Sequence, residues 1–346
     1  MLCKFSFSKF YTVAWSALVL GLLPVLPLTA NEPVAASTET PAVPLPRLEP
    51  RAFEWKALHF ELPNSIKVFE GYAVNADGQP VRAYYADIDY SDVSLQARAA
   101  LSEKGRETTS AQAEKLQALV TVNGGYFQMK GAPLTFNTVI SDGKVLSENP
   151  AVSKRAGKPD LFIARGVFGV RARPASPQHI FDLKWVVHLE GKPIAYPTPL
   201  PNTPESDSPA PTPHFPAGGK VWDVREAIGG GPVLVTDGHI NLTGKAEGFG
   251  QSHIQTRHPR TAIGSYVRDN RPHLILLVVD GRQKTHSMGM SLSELAIAMR
   301  DLGCDNALNL DGGGSTTLVV KNQVVNKPSG GIQRAVTSVF AIVPTR

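Results

Sequence analysis

The residues best placed to do chemistry lie within one stretch, His273 to Val320. An apolar run, Leu274 to Val279, ends in Asp280-Gly281-Arg282, and a second, Ala307 to Leu310, ends in Asp311-Gly312-Gly313-Gly314. Two carboxylates can serve as acid, base or nucleophile, and an arginine can hold an anion. Three glycines in a row cost chain entropy, so they imply a sharp turn or close backbone approach to a ligand, and their amides can form an anion-binding nest. A single Asp-Gly pair is an ordinary turn signal. Two of them on paired strand ends, one extended by a triple glycine, point to a site. No Lys-Ser/Thr follows the glycines and Thr316 to Val320 reads as a strand, so the stretch is not a P-loop.

Local elements must position these groups. Ser291 and Glu294 form an S-x-x-E capping box, and Leu292, Leu295, Ala296, Met299 and Leu302 mark one helical stripe that stops at Gly303. Strand, helix and strand predict a right-handed βαβ unit. Its strands are expected to be parallel neighbours buried on both faces, with both aspartates at one edge. Either aspartate can instead be occupied by turn amides, and Asp280, which lacks the flanking glycines, is the stronger candidate for that.

Upstream, Thr109 to Leu119 is helix-compatible, and Ala118 to Phe127 is an apolar strand ending in Asn123-Gly124-Gly125, a pattern that also suits a hairpin turn. Gly229-Gly230-Gly231 leads into another strand. Arg257 and Arg260 flank a short apolar strand, where guanidiniums three apart ordinarily read as solvated surface. A closing strand runs from Val336 to Val343. The expected class is α+β: a mixed β-sheet core with flanking helices and a C-terminal βαβ unit.

With 346 residues, 42% of them hydrophobic, the chain can bury a substantial core. Residues 1–30, with Lys4 and Lys9 ahead of an apolar Ala14 to Leu28, read as a signal peptide cleaved near Ala30; an uncleaved membrane anchor is the competing reading. Residues 31–50 form a Pro-rich tether, residues 51–117 a strand-rich first part of the fold, and residues 118–346 the main domain. The proline-rich segment 193–216 reads as an exposed excursion or a lid. The net charge of +5 falls by two if Lys4 and Lys9 are removed, which leaves no polyanion footprint and argues against a nucleic-acid partner. Cys3 would leave with the signal, and Cys304 then has no disulfide partner and reads as a small buried residue. No metal-type Cys/His cluster occurs, no cofactor is called for, and metal dependence stays open.

Taken in order, Asn123-Gly-Gly-Tyr-Phe127, Gly230-Gly-Pro-Val-Leu234, Arg257-x-x-Arg260-Thr-Ala-Ile-Gly264, Asp280-Gly-Arg282, Gly289-Met-Ser-Leu with Glu294, Asn309-Leu-Asp-Gly-Gly-Gly-Ser-Thr, Asn326-x-Pro-Ser329 and Arg334 resemble the phosphodiester glycosidase family. The resemblance covers roughly Ala118 to Val343. It implies hydrolysis of a sugar's anomeric bond to a phosphodiester, with Asp311 and Asp280 as the catalytic pair. It also implies a binding set of Asn123, Gly124, Gly230, Arg260, Thr261, Arg282, Gly312, Gly313, Gly314, Ser315, Thr316, Ser329 and Arg334. The implied partner is a sugar-1-phosphodiester or cell-surface glycan, met outside the cytoplasm if the signal acts. Neighbouring strand ends stand about 4.8 Å apart, which would put the carboxylates near the roughly 5–5.5 Å of retaining glycosidases; an intervening strand doubles the spacing and favours inversion. Adjacency, and with it retention, is the expectation. The alternatives are a phosphodiesterase attacking phosphorus and a non-catalytic glycan-binding module.

Overall fold

A computed structural model describes residues 53–345 except 156, 158, 174, 175 and 204. The expected signal peptide and tether lie outside the described residues.

The expected α+β class is not what forms. The fold is mostly β, with 42% strand against 10% helix. Among the described residues, the α-helices are Thr109–Leu116, Gln251–Gln255 and Leu292–Asp301. Three sheets hold eight, seven and five strands, and a two-stranded ribbon completes the set. The eight-stranded sheet runs Glu54–Leu58, Ile66–Val74, Pro80–Asp89, Arg271–Val279, Arg260–Arg268, Asn306–Asn309, Val233–Thr236 and His239–Ile240, every neighbour antiparallel.

The βαβ expectation fails at one identifiable point. Arg260–Arg268 and Arg271–Val279 form a hairpin closed by Asp269-Asn270, both at positive φ as a two-residue turn of this hand requires. Pro80–Asp89 holds the other side of Arg271–Val279. Strand Asn306–Asn309 can then join only beyond Arg260–Arg268. The two strands of the supposed unit still run the same way and deliver both aspartates to one edge, but they are not neighbours.

Burial on both faces of Arg271–Val279 is nevertheless observed, for a different reason. Leu274, Leu276 and Val278 join the main core, which spans all three sheets with Phe168, Trp185, Tyr196, Leu308, Leu318 and Phe340. Ile275, Leu277 and Val279 join a second cluster with Leu295 and Met299 of the helix Leu292–Asp301 and with Cys304 just beyond it. An antiparallel strand covered by a sheet on one side and a helix on the other carries the continuous apolar pattern usual for parallel strands. The helix sits close, since a Cβ on Gly264 would fall 2.6 Å from Met299 Cε. Its capping box is present, Ser291 Oγ accepting from Glu294 N at 3.2 Å and Glu294 Oε2 from Ser291 N at 2.8 Å.

The proline-rich segment is exposed at 197–198, 201, 203, 205–207, 209–210 and 212–214 and anchored between those positions. Strand Lys192–Tyr196 runs into it, Tyr196 and Leu200 are fully buried, and Asn202 Nδ2 donates to the carbonyls of Phe162 and Ala246.

Candidate active site

The site is a seam where the eight-stranded and five-stranded sheets meet. Asn123, the last residue of strand Val120–Asn123 in the five-stranded sheet, is fully buried and joins their strand ends. Its Nδ2 donates to the Asp311 carbonyl at 2.7 Å, and its Oδ1 accepts from Thr261 Oγ1 at 2.8 Å and from Thr317 N at 3.2 Å. Gly124 contributes its carbonyl to Asp311 N at 3.1 Å. Gly230 lets two strand ends touch: a Cβ there would lie 2.4 Å from the Asn309 carbonyl. Asn123, Gly124, Thr261 and Gly230 therefore form the scaffold beneath the site.

On that scaffold, Asp311 meets two guanidiniums. Asp311 Oδ1 accepts from Gly312 N at 2.9 Å. The Gly313 N–H donates to the Pro259 carbonyl, so the amides of Gly312 and Gly313 are bonded within the protein and do not make the expected anion nest. The glycines serve by lacking side chains. A Cβ on Gly313 would stand 3.2 Å from both terminal nitrogens of Arg282, and one on Gly314 would stand 2.4 Å from a terminal nitrogen of Arg334. Both guanidiniums thus lie against the glycine backbone, and Arg334 also donates to Ser315 Oγ at 3.3 Å. Arg282 holds a left-handed backbone, φ 63, a strained conformation for a residue of this size. Desolvation pushes the Asp311 carboxyl up to about 6; the Ser315 hydroxyl, Arg334, the Gly312 amide and Arg282 pull the other way.

Asp280 is placed differently. Its side chain is fully buried and accepts from His286 Nε2 at 2.8 Å, Asn326 Nδ2 at 2.9 Å and Lys327 N at 3.0 and 3.1 Å. Burial raises its pKa while these donors lower it. Asp280 ties down the loop that leads through Ser329, half-buried in the turn closed by Gly331 N to the Pro328 carbonyl, to Arg334. Strand Arg260–Arg268 separates it from Asp311, so the neighbouring carboxylate pair is not formed and the expectation of retention loses its premise.

Arg260 is 2% exposed, contrary to the solvated-surface expectation. Its Nε donates to the Met290 carbonyl, and one terminal nitrogen donates to those of His253 and Thr256. Arg257 pairs with Glu294 and Asp77. The Thr316 hydroxyl is buried beside the site with no partner. Cys304 is buried, which pushes its thiol up, as suits a core residue. No group of three His, Cys, Asp or Glu side chains converges as a metal site among the described residues.

Residues 117–343 match the family described as phosphodiester glycosidase. The chain belongs to that family. It is 25% identical over 339 residues to the mouse N-acetylglucosamine-1-phosphodiester alpha-N-acetylglucosaminidase, covering 93% of this chain and 56% of that protein. The chain thus spans just over half the length of that relative. Its fold is similar to the zebrafish N-acetylglucosamine-1-phosphodiester alpha-N-acetylglucosaminidase catalytic domain auto-inhibited by pro-peptide, with TM-score 0.56 at 22% identity over 85% of this chain and 88% of that one. A hypothetical protein from Synechocystis gives TM-score 0.56 at 18% identity over 85% of this chain and 64% of that one. A phosphodiester glycosidase activity is supported at the level of the family.

Several residues of this family member were not singled out from sequence. His258 Nδ1 lies 3.2 Å from an Arg282 terminal nitrogen. Tyr126 donates its hydroxyl to the Gly231 carbonyl at 2.8 Å, accepts from Asn309 Nδ2 at 2.9 Å and lies 3.3 Å from His253 Nε2. His258 stands between Arg257 and Arg260, and Tyr126 within Asn123-Gly-Gly-Tyr-Phe127, so both adjoin site residues in the chain. His253, in a five-residue helix, had none.

Proposed function

We propose that the chain is an exported hydrolase that cleaves the anomeric bond of a sugar-1-phosphodiester, releasing free sugar and a phosphomonoester. Export rests on the pattern of residues 1–30. The observation that carries the chemistry is a single carboxylate, Asp311, under the electrostatic influence of two guanidiniums that the glycine run admits alongside it.

Arg282 and Arg334 hold the phosphate and stabilise the charge that develops on it as the anomeric C–O bond breaks. The group that leaves is a phosphomonoester, a weakly basic oxyanion, so no strong general acid is needed. Asp311, poised near 6, is ionised at neutral pH and takes the proton from a water whose oxygen forms the new bond to the anomeric carbon. This assignment uses one carboxylate, in keeping with the full engagement of Asp280.

The test is turnover of a panel of sugar-1-phosphodiesters by the full chain in oxygen-18 water. Label in the released sugar is expected. Label in the phosphate would identify attack at phosphorus and overturn the reading, as would failure to cleave any member of the panel.

A further inference from the structure

Beside the Asp311 site lies a charged group that the proposed reaction does not use. Arg165, the first residue of strand Arg165–Val170, stacks its guanidinium over the Phe249 ring at 4.2 Å. Its Nε is buried without a partner, and no carboxylate pairs with its guanidinium among the described residues. Glu247 offsets part of this charge at longer range without forming an ion pair with it. Glu247 is fully buried and accepts from Gly166 N, Val233 N, Trp185 Nε1 and Thr243 Oγ1. A desolvated guanidinium without an ion-pair partner is costly to maintain in a folded protein, and such groups concentrate at sites that receive an anion.

The surroundings tie this arginine to the site. Phe249 stacks on His253 at 5.1 Å, and Tyr126 packs on both rings. Tyr126 feels the charges of Asp311, Arg165 and Arg260 together, and Asn309 links it to the strand that ends at Asp311. Asn309 Oδ1 is itself buried and lacks a donor, a second unsatisfied polar atom in this cluster. Burial and the neighbouring cations hold His253 neutral, at about 4, so it offers an aromatic face and no positive charge at neutral pH. One fixed cation beside aromatic faces suits an acidic sugar.

We propose that Arg165 on its Phe249 platform is a second anion-binding position, so that the preferred substrate carries a carboxylate on the sugar in addition to the phosphodiester. The inference rests on the reading of Asp311, Arg282 and Arg334 given above, but its test does not depend on turnover.

The experiment titrates glucuronate, glucose and inorganic phosphate into the full chain and into Arg165→Gln and Phe249→Leu by calorimetry, with melting temperatures as a folding control. Glucuronate is expected to bind wild type at least tenfold more tightly than glucose, as about one charge-assisted contact provides. Arg165→Gln should erase that preference, and Phe249→Leu, which keeps the charge but removes its platform, should reduce it severalfold. Phosphate affinity should depend on Arg282 and not on Arg165. Equal binding of glucuronate and glucose by wild type overturns the proposal. So does an Arg165→Gln effect confined to phosphate, which would assign Arg165 to the phosphate position. If no phosphodiester is cleaved yet glucuronate binds through Arg165, the catalytic reading fails and the anion position stands.

Discussion

Asp280 and Asp311 begin as the same dipeptide, Asp-Gly after an apolar strand, and end at the same sheet edge. They differ in how many donors reach them. Four donor contacts from three residues saturate the Asp280 carboxylate and hold Asn326 and Lys327 in place. Asp311 accepts chiefly from its own turn, from Gly312 N and the Ser315 hydroxyl, and faces Arg282 and Arg334. A carboxylate filled with protein donors acts as an anchor, whereas one left poorly solvated beside unspent cations is available to react. The paired-carboxylate picture treats the two alike, and the structure separates them.

Substitutions at the two ends test that separation. The largest effect is expected at Asp311→Asn, which keeps the shape and removes the charge: kcat should fall by about a thousandfold or more without a lower melting temperature, on the scale of a lost general base. Retention of activity within a few-fold would make Asp311 structural. Asp280→Ala should act on stability, costing about 3–5 kcal/mol in denaturant unfolding because several buried donors lose their acceptor. If it melts like wild type, Asp280 is not the anchor described.

Smaller effects sharpen the contrast. Arg282→Ala should raise KM for phosphodiesters by about ten- to a hundredfold, and an unchanged KM would move the phosphate elsewhere. Linkage gives a further sign. The Asp311 pKa is raised to about 6 in the fold from an ordinary 3.8, so the native state holds the proton more tightly. Its contribution to stability therefore declines as pH rises from about 4 to 6 and is flat above. The stability difference of Asp311→Asn over wild type should grow across that window by on the order of 2 kcal/mol, read from melting curves between pH 4 and 7. A difference that is constant with pH would show that Asp311 keeps its ordinary pKa. The smallest change is expected for His286→Ala, which removes one of the Asp280 donors at a cost of about 1 kcal/mol. A loss as large as that of Asp280→Ala would mean that His286 alone holds the carboxylate.

Local features were legible in the sequence. The Ser291–Glu294 capping box, helix Thr109–Leu116 and the strand ends at Asp280 and Asp311 follow from neighbours in the chain. The sheet order did not, because it turns on the Asp269-Asn270 hairpin, which commits one side of Arg271–Val279 before the helix begins. Burial of Arg260 was equally hidden, since three carbonyls from separate residues satisfy it. The cluster of Arg165, Phe249, His253 and Tyr126 joins segments spread over more than a hundred positions, and no spacing rule connects them.

The bonds made by Asn123 reach residues 138, 188 and 194 positions further along the chain. Its strand also needs Ser338–Pro344 beside it to complete the five-stranded sheet. Long-range closures of this kind form slowly, because chain entropy is lost before the contacts compensate. The catalytic centre is therefore expected to be completed late in folding, with partly folded chains inert. In a refolding experiment, recovery of turnover would serve as a clock for the final step.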